Sequence, residues 1–256
     1  HREGTRATGI FTAVWFAVFM IPYFMWVREK PSTAKRDSVS EALGSVITSI
    51  KGLRDKPSLA YYLVSSMLYR DGLNGLYSFG GVYALLVLNW EVSQVGAFGV
   101  IAALGAAVFS YIGGFADRRF GPKPVIIISI LALMAVSFTI INLSPTTFFG
   151  FQLAEGTGLP DTVFMVCGVF IGGMGGVVQS TSRSLMVRHC DPESSTEYFG
   201  LYGMSGRATA FLAPLMIGIV TAATGSARIG ISPVLVLFFI GLILLFWVKA
   251  EGESDT

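Results

Sequence analysis

Charge is scarce in this chain: Asp, Glu, Lys and Arg make up 13% of its 256 residues, about half the share of an ordinary soluble domain. That scarcity excludes a solvated globular surface, and a net charge of +2 leaves little to neutralise a nucleic-acid backbone. Histidine and cysteine are scarcer still, with two of each. Cys167 falls in an apolar run and Cys190 in a charged loop beside His189, so the spacing supports neither a disulfide framework nor a metal site. A membrane-embedded enzyme would need a reactive constellation, and none is legible: no intramembrane histidine, no Asp-rich motif, no serine with a histidine partner. No catalytic residue, metal or cofactor is therefore expected.

What the chain has instead is apolar length. Hydrophobic residues make up 53% of it, with 30 glycines and 20 phenylalanines, and the mean hydropathy is +0.65. Taking about 20 apolar residues as one bilayer crossing, the sequence predicts seven spans: Gly9–Val27, Leu59–Leu88, Val95–Ala116, Val125–Leu143, Thr162–Ser182, Phe199–Ala223 and Pro233–Val248. The fold class is an all-α polytopic helical bundle with the lipid bilayer as its solvent. Alternate loops (Arg28–Ser58, Asp117–Pro124, Arg183–Tyr198 and the tail from Lys249) collect the basic residues, whereas the opposite set holds only Arg228. The basic set is expected in the cytoplasm, with a cytoplasmic carboxy-terminus. Arg2 and Arg6 run against this rule. Trp15, Trp26, Trp90 and Trp247 sit near run ends, as interfacial anchors do. The chain opens on His rather than Met and enters an apolar run almost at once, so it reads as a piece of a longer protein.

The run from Leu59 is unusual because adjacent Arg70 and Asp71 sit about eleven residues, roughly 17 Å of helix rise, inside it. Charge there is expensive, and it normally faces a bundle interior or a water-filled cavity. Helical spacing puts Asp71, Asn74 and Ser78 on one face with Tyr69 and Tyr77 beside it. Neighbouring residues on a helix point about 100° apart, so Arg70 and Asp71 are not an ideal ion pair. Asp71 fits either a proton carrier or a structural counter-ion. Arg207, near Pro214 in a glycine-rich span, is a second intramembrane charge without an acid in its own helix; Asp71 is a candidate partner, and the neighbouring kink marks a moving part or cavity wall.

Close packing is written in small residues. Ala102, Ala106, Ser110 and Gly114 recur at every fourth position, as do Gly168, Gly172 and Gly176, which lets backbones approach. The glycine doublets are not a phosphate cradle, since no strand precedes them and no lysine follows in place. Gln179 and Arg183, four apart, are neighbours at the basic end of that span. The run Gly113 to Lys123 ends one helix at Asp117, passes Arg118, Arg119 and Gly121, and starts the next at a proline; Asp117 is placed to hold arginines across helix ends. In the long loop, Val39, Leu43, Val46, Ile50 and Leu53 recur at helical spacing, and Ser38 with Glu41 matches a capping box, predicting a short amphipathic helix. The last span, apolar throughout, is expected to face lipid.

This order of features resembles the carboxy-terminal part of a major facilitator superfamily transporter: the sixth helix, a cytoplasmic linker and six further helices. The Asp117–Lys123 loop resembles that superfamily's signature between helices eight and nine, with one extra residue before Gly121 and Pro122 where a basic residue is usual. Tyr69-Arg70-Asp71-Gly72, the run Gly172–Ser184 and Glu197-Tyr198-Phe199-Gly200-Leu201-Tyr202 resemble the branch that includes the autophagy-related vacuolar amino-acid effluxer and its prokaryotic relatives. The resemblance implies residues 1–27 as the last amino-terminal helix, 28–58 as linker, 59–248 as the carboxy-terminal bundle and 249–256 as a tail. It implies a multi-pass protein of the cell membrane (the inner membrane in a bacterium) that exports a small solute, with amino acids the candidate class and protons a candidate coupling ion, by alternating access. Arg70, Asp71, Asn74, Gln179 and Arg207 are the cavity candidates; Gly113, Asp117, Arg118, Gly121, Lys123 and Arg183 are the gating candidates. The absent amino-terminal helices are the expected partner, and a non-transporting receptor or scaffold is the rival.

Overall fold

The computed structural model describes residues 3–27, 39–154, 156–190 and 195–252. The chain divides into two compact units, residues 1–43 and 44–256. Helix α1 (Glu3–Trp26) is predominantly apolar from Ala7 onward, and nearly all its described side chains are exposed, as suits a helix surrounded by lipid or by other helices. Helix α2 (Val39–Gly52) is the helix expected in the long loop. Its capping residue Ser38 and the side chains of Val39, Glu41, Leu43 and Val46 lie outside the described residues; Ile50 is exposed and Leu53 packs on the core.

The larger unit is a helical bundle. After the 3₁₀ turn Leu53–Asp55 come α3 (Pro57–Leu86), α4 (Val92–Phe120), α5 (Pro122–Ile141), α6 (Leu159–Arg188), α7 (Ser195–Ala208), α8 (Leu212–Thr224), α9 (Ala227–Gly230) and α10 (Ser232–Phe246). The described sheet is one hairpin, β1 (Thr147–Phe148) and β2 (Phe151–Gln152), between α5 and α6. Among the described residues six stretches are long and apolar enough to cross a membrane; one of them, Ser195–Thr224, combines α7 and α8. Helix α3, read from the sequence as a seventh span, is not among the six although it has 30 residues. Its tyrosines, serines, Arg70, Asp71 and Asn74 lower its hydropathy. Most of that polarity is turned into the protein: Ser65, Ser66, Tyr69 and Asp71 are buried, and Ser65 Oγ donates to the Gly241 carbonyl at 2.7 Å.

The interruption between α7 and α8 has a local cause. Pro214 has no N–H to donate, and its ring crowds the carbonyl four residues back, that of Ala210. The helix therefore stops at Ala208 and restarts at Leu212.

Helix α10 differs from its expected lipid-facing role. Val234, Leu237, Phe238, Gly241, Leu242 and Leu245 are buried, while Val236, Phe239 and Phe246 are exposed. Because the helix is apolar on every side, its sequence carries no periodic signal for the packed face. Trp90 also departs from the anchor reading: it is buried and donates from Nε1 to Asp161 at 2.6 Å. With Tyr83, Phe98 and Phe164 it forms an aromatic cluster, Phe98 stacking on Phe164 at 5.0 Å between centroids. Tyr83 also donates to the carbonyls of Ile140 and Leu143, closing this end of the bundle.

Candidate functional site

Helix α3 distributes its polar side chains in three directions. Arg70 reaches α7, where its guanidinium carbon lies 4.4 Å from the centroid of the Tyr202 ring and one of its nitrogens donates to the Tyr202 carbonyl at 3.3 Å. The guanidinium occupies the space a side chain at Gly206 would need, which is why that position has none. Tyr202 stacks in turn on Tyr62, and Tyr62 on His189. The Tyr69 hydroxyl is 2.7 Å from Ser182 Oγ, and the Tyr62 hydroxyl donates to the Ser182 carbonyl at 2.5 Å.

Asp71 points elsewhere. It is fully buried, and its Oδ2 accepts the Ala213 N–H at 2.9 Å. The first N–H groups of α8 can be accounted for one by one: Leu212 donates to the Thr209 carbonyl, Ala213 to Asp71, Pro214 has none, and Leu215 donates to the Phe211 carbonyl. Asp71 thus supplies from another helix the cap that the restarted helix lacks at its own N-cap residue, Phe211. Among the described residues its other oxygen, Oδ1, and the Thr209 hydroxyl at the break are buried without a hydrogen-bond partner.

The third direction is outward. Asn74, Tyr77 and Ser78 are exposed, as are Gln179, Ser180 and Arg183 on α6 and Arg207 on α7. The Tyr77 side chain lies near that of Gln179. Beside Tyr77, α3, α4 and α6 enclose an apolar niche of about 370 Å³ whose walls include Leu76, Val95, Ala102, Ala106 and Ile171.

Several sequence expectations are redrawn by this geometry. The stripe Asp71–Asn74–Ser78 is split, its first member buried and the other two exposed, because the break in the facing helix draws Asp71 inward. Arg70 and Asp71 engage different helices instead of each other. Arg207 is exposed in the last turn of α7, and the carboxylate of Asp71 is held by Ala213 rather than by it. Among the described residues Asp117 holds no arginine: its Oδ1 is buried without a partner, and Arg118 and Arg119 are exposed. The lock at this end is instead made by Lys123, whose Nζ donates to the carbonyls of Phe246 (3.1 Å) and Val248 (2.6 Å) at the end of α10. Gly121, at φ +81°, makes the turn between α4 and α5 in a conformation that favours glycine, and Gly113 is fitted against Val177. Arg188 pairs with Glu251 at 2.6 Å.

A serine does meet a histidine here, contrary to expectation: Ser58 Oγ is 2.9 Å from His189 Nε2 and accepts the Lys249 N–H at 2.9 Å, while His189 Nδ1 lies 3.0 Å from the Leu185 carbonyl. Both ring nitrogens and the hydroxyl are thereby engaged in a buried tie among the start of α3, the end of α6 and the residues after α10. Sequence reasoning missed this tie, the role of Ser182 and the cap on α8, all of which join residues more than a hundred positions apart. The only advance signals were Pro214, which foretold the break, and the cost of burying Asp71, which foretold a partner.

A helical bundle with several membrane-length apolar helices, a broken helix capped by a buried acid and an outward polar face on α3, α6 and α7 defines a multi-pass membrane protein. The chain belongs to the family described as vacuole effluxer Atg22 like, which matches residues 2–255, within the major facilitator superfamily. Similar curated proteins include an uncharacterized MFS-type transporter, YxiO, of Bacillus subtilis, 23% identical over 245 residues that cover 95% of this chain and 54% of that protein. Autophagy-related protein 22-1 of Penicillium rubens is 23% identical over 261 residues, covering 94% of this chain and 43% of its own. Autophagy-related protein 22 of Yarrowia lipolytica is 24% identical over 271 residues, covering 94% and 44%. The chain spans about half the length of these relatives.

Proposed function

We propose that the parent protein moves a small amphipathic solute, with amino acids the first class to test, across a membrane by alternating access. Residues 59–248 form its carboxy-terminal bundle, residues 1–27 the last helix of the amino-terminal one, residues 28–58 the linker and residues 249–256 the tail. The observation that carries this reading is the outward polar face on α3 and α6 lying beside an apolar niche. Asn74, Tyr77, Gln179 and Arg183 offer donors and acceptors to an ammonium or carboxylate, and the niche offers about 370 Å³ to an apolar side chain, within the size range of small-molecule sites. Amino-terminal helices of the same protein would close the other side, in keeping with substrate sites between the two halves of such folds. The names of the relatives, a vacuole effluxer family and an MFS-type transporter, support the same direction of reading.

In this scheme the broken α7–α8 segment is the moving part. Arg70 holds α7 and Asp71 holds α8, so one turn of α3 touches both sides of the break. Lys123, Arg188 and the Ser58–His189 tie belong to the end expected in the cytoplasm from the charge of its loops, and they fasten helices that remain together as the halves rock. Arg183 and Arg207, exposed on α6 and α7, are cavity or gate residues in the complete protein.

The test is flux of a labelled amino-acid panel in proteoliposomes carrying the full-length parent protein, with and without a pH gradient. Saturable movement of one class is expected, and Gln179→Ala should raise its KM with little change in the amount of folded protein. Absence of flux across the panel, with folded protein verified, would remove the amino-acid assignment; saturable binding without flux would favour a receptor that keeps the fold.

A further inference from the structure

Outside the cavity face, α4 and α5 leave a groove of about 420 Å³ between them, floored by α6. Its walls are almost wholly apolar, with Phe109, Ile112, Ala116 and Phe120 from α4 facing Val125 and Ile128 from α5. From Phe109 to Phe120 it follows eleven residues of helix, roughly 16 Å of rise, about half the thickness of a 30 Å hydrocarbon core. The groove therefore has about the length of one leaflet.

Its mouth is basic. The Arg119 guanidinium sits over the ring of Phe120, 5.6 Å from the centroid, and Arg118 is its exposed neighbour. Among the described residues neither arginine pairs with an acid. Asp117, the nearest acid in sequence, keeps its Oδ1 buried away from solvent, and Lys123 is occupied by the carbonyls at the end of α10. The first turn of α5, which starts at this mouth, contains no acidic residue, so its dipole adds to the positive potential.

We propose that this groove binds one anionic phospholipid, an acyl chain lying between α4 and α5 and the headgroup phosphate held by Arg118 and Arg119. An apolar trough about half a hydrocarbon core long, with the Arg119 guanidinium over the aromatic ring at its end and exposed Arg118 next to it in sequence, is complementary to such a lipid in both halves: chain to groove, phosphate to arginine. A zwitterionic lipid satisfies the groove equally but gains less at the mouth. The assignment does not depend on which solute moves, or on whether any does.

The test uses the full-length parent protein, delipidated in detergent and titrated with phosphatidylglycerol or phosphatidylcholine of identical chains, with bound lipid counted by native mass spectrometry. Phosphatidylglycerol is expected to be retained in preference to phosphatidylcholine. The Arg118→Gln/Arg119→Gln variant, altered only at exposed positions, should lose roughly tenfold or more of that retention while binding phosphatidylcholine as before. Ala116→Trp, which fills the trough, should release the lipid with both arginines in place. Should that variant not fold, Ile112→Trp replaces it: chain-brominated phosphatidylglycerol should quench its fluorescence more strongly than the brominated zwitterionic lipid, and the difference should vanish with the arginines. Equal retention of the two lipids, an unchanged double variant, or cross-linking of Ile112→Cys to another protein segment or a second copy would each overturn the proposal.

Discussion

Two seams of the larger bundle are built by opposite means. Between α4 and α6 side chains are missing: Gly172 lies against the Ala102 carbonyl, Gly176 against Ala106 and Ser110, and Gly105 against the Val169 carbonyl, so the backbones touch. Between α3 and the α7–α8 pair polar side chains are buried: Asp71 holds Ala213, Arg70 holds Tyr202, and among the described residues Thr209 at the break has no partner for its hydroxyl. Backbone contact between continuous helices has no cheap alternative arrangement, because sliding one turn would drive Cβ atoms into carbonyls. A seam made of one carboxylate, one guanidinium and an interrupted helix can be remade by exchanging a few hydrogen bonds. The first seam suits a fixed body and the second a moving one.

The sharpest way to break this comparison is to put a methyl into the first seam. Gly172→Ala forces the α4–α6 backbones apart and should cost about 3 kcal/mol, lowering the unfolding midpoint in detergent by roughly 6–12 °C; a midpoint within a degree of the parent's would mean that the seam is not close-packed in the membrane. In the second seam Asp71→Ala strands the Ala213 N–H at the start of α8, an effect of about 1–3 kcal/mol. Asp71→Asn keeps an acceptor there and should restore most of the loss. If Asn is as destabilising as Ala, the charge of Asp71 rather than its cap on α8 is what matters. Gly206→Ala pushes the Arg70 guanidinium off the Tyr202 ring, costing about 1 kcal/mol in cation–π contact. Hydrogen exchange should show α7 opening more readily in that variant while the α4–α6 seam is untouched; an equal rise in both would dissolve the distinction between them.

How much of this was legible beforehand follows from how far each signal reaches along the chain. Helix spans were readable because apolar runs are local, and the Gly168–Gly172–Gly176 face because its period is local too. The small stripe on α4 was readable only in part: Ala102, Ala106 and Ser110 meet α6, but Gly113, one position before Gly114, is the glycine pressed against Val177. The break before Pro214 was readable for the same local reason. Which oxygen caps α8, which face of α10 is covered and which residues meet Ser58 were not, since each is decided by a helix distant in sequence. Arg70 and Asp71 show both limits. Their position inside an apolar run announced that each needed a partner, while the identity of those partners, an aromatic face and a backbone N–H, had no trace in the spacing of acids and bases.

The smallest expected effect probes that one-residue distinction between Gly113 and Gly114. A methyl at Gly113 would lie 2.9 Å from two Val177 carbons, whereas at Gly114 it would meet nothing within 4 Å. In a helix interior alanine is preferred over glycine by about 0.5–1 kcal/mol, so Gly114→Ala should leave the bundle intact and raise its unfolding midpoint by a few degrees at most. Gly113→Ala sets the same propensity gain against the crowding with Val177, and should come out destabilised relative to Gly114→Ala by a comparable amount. Restoring space with Gly113→Ala/Val177→Ala should recover part of that difference and leave the Gly114 variant's gain unaffected. If Gly114→Ala alone destabilises the full-length protein, its open side is covered there by a segment outside residues 44–256, and the exposed face of α4 is an interface between the two halves.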